Sequence, residues 1–161
     1  MSGKTNPGRG FELAEFESRL SGFQARMTAA EFDVVLLTAP PNVRYFSGFD
    51  TQFWESPTRP WYLVLPRQGQ PVAVIPEIGE AAMRATWVED VHCWPAPQPA
   101  DDGVSLLAGV LDAVPRKFGR MGAEMGRESI VRMPLIELAQ VQARVAGLEW
   151  ADAAPLLWAQ R

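Results

Sequence analysis

The feature that most constrains this chain is a set of short, unbroken apolar runs. "DVVLLT" spans Asp33 to Thr38, and its four consecutive apolar residues predict a strand covered on both faces, as in a parallel sheet. Pro40 and Pro41 follow and cannot donate to a ladder, so the strand must end there. Asn42 is then placed to cap a short helix or turn, "VRYFS", which Gly48 closes in a left-handed conformation. Further on, "WYLVLP" and "QPVAVIP" are joined through "RQGQ", which predicts a β-hairpin with a glycine-containing turn.

Such strands need apolar helix faces to cover them. Leu13, Phe16, Leu20, Phe23 and Met27 form one stripe at spacings of three and four, predicting a long first helix. "EIGEAAMRATW" predicts another, with a weak apolar face at Ile78, Ala81, Ala82 and Ala85. Val104, Leu107, Leu111 and Val114 mark a third, for which Asp101 or Asp102 is a candidate cap and Pro115 a stop. "MPLIELAQVQARVAG" predicts the last, with Pro134 in its first turn, Gly147 at its exit, and Leu135, Leu138, Val141 and Val145 facing inward. "VEDVHCWP", "RMGAEM" and the start of "LEWADAAPLLWAQR" are shorter strand candidates, the last leading into a turn and tail. The expected class is α/β: a mixed, roughly six-stranded sheet with helices on its faces. Residues 1–10 are expected to be a disordered lead-in, and 11–161 one domain.

Charge narrows the partners. With 15 basic and 19 acidic residues the net charge is -4, and no basic block occurs, which argues against nucleic acid. No apolar run approaches the length of about 18 residues needed for a membrane span, and the start "MSGKTNPGRG" has no apolar signal core. Single Cys and His residues exclude an intrachain disulfide and the usual Cys/His zinc sites. These features fit a cytoplasmic protein with no metal or cofactor held by this chain.

Candidate chemistry is sparse. His92 and Cys93 are adjacent, so on a strand they point to opposite faces and make a poor nucleophile–base pair. Cys93 is best read as a small core residue and His92 as a partly exposed polar one. "GRMGAEMG" lacks the spacing of either dinucleotide- or nucleotide-phosphate loops. The loop from Asp50 to Pro60 is different, since it sets Phe53 and Trp54 beside Glu55 and Arg59. Two readings stand. Its aromatics fold back over the domain's own core, or they meet another domain or subunit, where aromatic and arginine side chains offer large contact area and fixed donors. Arg59 has the planar fork that clamps a carboxylate; the other reading is a surface arginine that makes no specific contact.

Three stretches, "FQARMTAAEFDVVLLTAPPNVRYFSGF", "RPWYLVLPRQGQPVAVIPE" and "RMGAEMG", with the tail "EWADAAPLLWAQR", resemble the amino-terminal domain of the creatinase/prolidase/aminopeptidase P family from about Phe11 to Arg161. The resemblance implies a ribonuclease H-like motif. It also implies a non-catalytic domain that aids dimerisation and borders the active site of a carboxy-terminal "pita-bread" domain. In peptidase members that second domain carries two divalent metals on Asp, His and Glu ligands, and nothing here resembles it. The family would make this chain inactive alone, part of a homo-oligomer or partnered by a catalytic domain, with Arg59, Trp54 and Phe53 as candidate substrate-border residues. The alternative is a free-standing, non-enzymatic binding or scaffold protein that reuses the fold.

Overall fold

The computed structural model describes residues 10–56 and 60–161. The element order is α1 (Leu13–Ala29), β1 (Val34–Leu37), α2 (Pro40–Ser47), a 3-10 turn (Gln52–Glu55), β2 (Tyr62–Pro66) and β3 (Val72–Pro76). A second 3-10 turn (Glu77–Gly79) leads into α3 (Glu80–Arg84), β4 (Asp90–Trp94), α4 (Val104–Asp112), β5 (Arg120–Ala123), α5 (Leu135–Arg144), β6 (Glu149–Asp152) and α6 (Ala154–Gln160). The strands form one mixed, six-stranded sheet in the order β4-β3-β2-β1-β5-β6. β2 runs antiparallel to both its neighbours, while the β1–β5, β5–β6 and β3–β4 pairs are parallel. The α/β class and the strand number expected from the sequence are therefore present.

The four residues of β1 are all fully buried, and they divide by period two between two cores. Val35 and Leu37 join the cluster under α1, α2, α3 and α6, with Phe23, Met27, Leu63 and Ile75. Val34 and Leu36 join the cluster under α4 and α5, with Tyr62, Val74, Leu107 and Val141. This is why the run is apolar without alternation. In α1 the stripe buries Phe16, Leu20, Phe23 and Met27, each contributing about 1.5–3 kcal/mol. Leu13, the first member, stays 43% exposed because the helix begins beyond the edge of the core. The hairpin turns at Gly69, whose φ of 98° is open to glycine at little cost.

Several local expectations need correction. Pro40 and Pro41 do not merely end β1; they form the first turn of α2, where a missing N–H costs nothing. Asn42 lies inside that helix and does not cap it. On α3 the buried residue is Met83, while Ile78, Ala81 and Ala85 are exposed; a preceding 3-10 turn shifts the register of the inward face. Leu135 is 82% exposed, because α5 first touches the core through Leu138 and Val141. The tail after β6 is a helix, not a turn: Asp152 Oδ1 accepts the Ala154 N–H at 2.9 Å, and Leu157 packs into the core beside α1. The expectation for residues 1–10 falls, apart from Gly10, outside the described residues.

Candidate functional site at the carboxyl edge of the sheet

Five parallel strands end on one edge, and β2 begins there. β1 and β5 are neighbours whose onward connections lead to opposite sides of the sheet, β1 toward β2 and β5 toward β6. That is the topological switch point, where open α/β sheets leave a crevice. A crevice of about 450 Å³ lies there, walled by Pro41, Asn42, Ile130, Trp158 and Arg161 and reaching Glu124.

Glu124 closes β5 and is 1% exposed. Its Oε2 accepts the backbone N–H groups of Thr38 at 2.7 Å and Ala39 at 2.8 Å, and its Oε1 accepts from the Asn42 side chain. The first turn of α2 has no cap of its own, so this distant carboxylate supplies one and meets the positive end of the helix. Arg161 Nη2 donates to Asn42 Oδ1 at 2.5 Å and extends the network to the surface.

The aromatic loop lies on the same edge. α2 ends at Gly48, with φ 72°, where an added Cβ would come within 2.9 Å of Phe16. Thr51 Oγ1 accepts the Phe53 N–H at 3.2 Å and starts the 3-10 turn. Asp50 Oδ1 accepts the Trp54 indole N–H at 3.0 Å and pairs with Arg44 at 2.5 Å. Burial pushes the Asp50 carboxyl up, but the bonds from Arg44 and Trp54 outweigh it and hold it below the usual carboxylate range. Trp54 is only 8% exposed, its ring centroid 5.6 Å from Phe49 and 5.8 Å from Trp61. Trp54 thus packs on the domain's own core. Phe53 is half-buried at the margin of that core, and Glu55 is exposed. Arg59 lies outside the described residues. The far side of the turn is held by Arg132, whose Nη2 donates to the carbonyl oxygens of Trp54 at 2.7 Å and Ser56 at 3.5 Å. The Arg132 backbone N–H donates to Thr38 Oγ1 at 2.8 Å.

The other sequence candidates are separate from this edge. His92 Nε2 pairs with Asp90 Oδ1 at 2.9 Å beside a mostly apolar groove of about 580 Å³ against α4. Cys93 lies on the opposite face and packs on the α1-side core, as the strand period required. Burial, with the nearby Glu80, pushes its thiol up, which disfavours the nucleophilic thiolate. Among the described residues no group of three or more His, Cys, Asp or Glu side chains is placed to hold a metal ion. No described helix is long and apolar enough to cross a membrane.

The profile of the Creatinase/Prolidase N-terminal domain matches residues 19–161. The chain belongs to this family. Its fold is also that of several solved structures. A prolidase from Thermococcus sibiricus superposes with a TM-score of 0.73 at 18% identity, over 91% of this chain and 36% of the prolidase. Dipeptidase PepE from Mycobacterium ulcerans gives 0.67 at 24% identity, over 94% of this chain and 38% of that one. An Xaa-Pro aminopeptidase structure from Streptococcus pyogenes gives 0.67 at 15% identity, and there the match covers 93% of this chain and 100% of the solved chain. The chain thus spans little more than a third of the first two relatives. No curated protein matches it in a direct comparison.

This creatinase/prolidase N-terminal domain holds three polar residues that sequence reasoning passed over: Asp33, Glu124 and Arg132. A signal existed for the first two. Each is a carboxylate at the end of an apolar strand, and a buried carboxylate must find donors. Asp33 finds the backbone N–H groups of Lys117, Phe118 and Gly119 at 2.9, 2.8 and 2.7 Å. Arg132 carried no such signal, since its partners are backbone carbonyls 78 and 76 residues away.

Proposed function

We propose that this chain is the non-catalytic amino-terminal domain of an Xaa-Pro peptidase or creatinase-type hydrolase, aiding dimerisation and bordering the active site of a partner domain. The observation that carries this reading is the pattern of coverage. The domain accounts for about a third of a prolidase and a dipeptidase, yet for all of a chain solved at domain length. Divalent metals, where the reaction needs them, would sit on the partner domain. The described residues of this chain offer no ligand cluster.

Phe53 stands half-buried at the rim, beside the buried Trp54 that fixes its turn, and is the contact residue. Arg59 follows in the same loop and would hold a substrate carboxylate through its guanidinium fork. The domain contributes position: its loop closes a cleft whose reacting groups belong to another domain.

The test uses the longest natural product that carries this domain. Arg59→Ala should raise KM for an Xaa-Pro dipeptide about tenfold, the loss of one charge-assisted contact, with a smaller change in kcat. Phe53→Ala should weaken self-association in sedimentation equilibrium. The 161-residue chain alone should not cleave such peptides. Cleavage by the isolated chain that vanishes in His92→Ala would overturn the reading.

A further inference from the structure

We infer that Arg132 is the positioning residue of the border loop, and that it ties the loop to the end of the central strand. The inference rests on the proposed role of the loop, and adds the residue that sets its geometry. Three contacts carry it. The guanidinium of Arg132 donates through Nη2 to the carbonyl oxygens of Trp54 and Ser56, the last turn before the segment bearing Arg59. The Arg132 backbone N–H is fixed on Thr38 Oγ1 at 2.8 Å. Thr38 is itself held by Glu124 Oε2, at 2.7 Å from its N–H and 3.3 Å from its Oγ1.

The path therefore runs from the buried end of β5, through the end of β1, to two carbonyls on the loop. Glu124 and Thr38 are buried at the edge of the sheet, whereas the turn from Gln52 to Glu55 is a single short 3-10 turn. Its amide bonds, Trp54 N–H to Thr51 O at 3.4 Å and Ser56 N–H to Phe53 O at 3.0 Å, are the ordinary ones of a 3-10 turn. A charge-assisted donor to the carbonyls at the end of such a turn restrains it more strongly than a neutral hydrogen bond does. The opposite side of the turn is anchored separately, by Asp50 on the Trp54 indole. Side chain and backbone of the same tryptophan are thus pinned from two directions. Removing the Arg132 contact frees the backbone while the indole keeps its place in the core.

Amide hydrogen exchange on the 161-residue chain tests this. Arg132→Ala should speed exchange at the Trp54 and Ser56 amides about tenfold or more, as for a lost hydrogen bond to a charged group. Exchange at Leu36 and Val64, in the sheet, should stay as in the parent. Arg132→Lys, which keeps a charged donor, should restore most of the protection; Arg132→Gln serves if the alanine variant does not fold. Unchanged exchange at Trp54 and Ser56 would overturn the inference, and so would a uniform rise across sheet and loop, which marks a general structural role. In the longest natural product the same variants should raise KM more than they lower kcat. If exchange rises but self-association and KM do not move, the proposed role of the loop fails while the positioning by Arg132 stands.

Discussion

The carboxylate of Glu124 caps the helix that starts at Pro40, accepting the backbone N–H groups of Thr38 and of the N-cap residue Ala39 at 2.7 and 2.8 Å from more than eighty residues away. A helix that opens with two prolines has fewer N–H groups to satisfy, and none of its own side chains caps them. Glu124→Ala would leave two N–H groups and the Asn42 amide without their acceptor in a buried place. The expected loss is about 3 kcal/mol in urea unfolding. Glu124→Gln keeps one acceptor but turns an amide donor toward Asn42, and should lose about half as much. Equal stability of all three proteins would rule out the capping role.

Asp33 makes stability depend on acid. Burial pushes its carboxyl up, but the N–H groups of Lys117, Phe118 and Gly119 and the nearby Arg67 together bring it below the ordinary carboxylate value. Arg67 Nε stands 3.5 Å from Oδ1, an ion pair rather than a hydrogen bond. A folded-state value below the unfolded one means the folded protein binds the proton less tightly. The stabilisation is therefore fully present above the unfolded value and disappears as pH falls through the folded one. Asp33→Asn should flatten the stability profile in that acid range and cost about 3 kcal/mol at neutral pH. Urea midpoints at a series of pH values measure both.

Gly79 is required by a tryptophan. A Cβ at this position would sit 2.2 Å from Trp61 Cζ3, and Trp61 is 1% exposed with its ring against Phe49 and Trp54. It has no room to yield. Gly79→Ala should cost about 1–3 kcal/mol by overpacking, a fall in Tm of several degrees. It should also speed exchange in the loop that Trp54 anchors. A rise in Tm would show that the contact relaxes freely.

Trp54 and Phe53 should separate in their effects. Trp54 is a core residue, and Trp54→Ala is expected to cost about 3–5 kcal/mol of folding stability. A change in association measured with that variant would carry the folding defect with it. Phe53→Ala should lower Tm by only a few degrees, so it is the cleaner probe of the interface. Thermal melts of the two variants side by side check the distinction; similar losses would place Phe53 in the core as well.

Local patterns along the chain were enough to specify the sheet and most of its cover. Unbroken apolar runs at strand length, a glycine turn, and stripes at helical spacing are local patterns, and the physics that reads them is local too. The sequence also determined that His92 and Cys93 part to opposite faces, because the strand period alone dictates that. Tertiary structure decided where the polar groups go. Glu124 reaches a helix start beside β1 because β5 pairs with β1 in parallel, setting Leu36 opposite Ala123. Arg132 reaches the aromatic loop because both emerge from one edge of the sheet. It also seated on the core Trp54, whose indole and ring neighbours, Asp50, Phe49 and Trp61, come together only when the sheet is formed. A hydrogen bond across eighty residues leaves no period in the sequence, since it depends on which strand ends lie side by side.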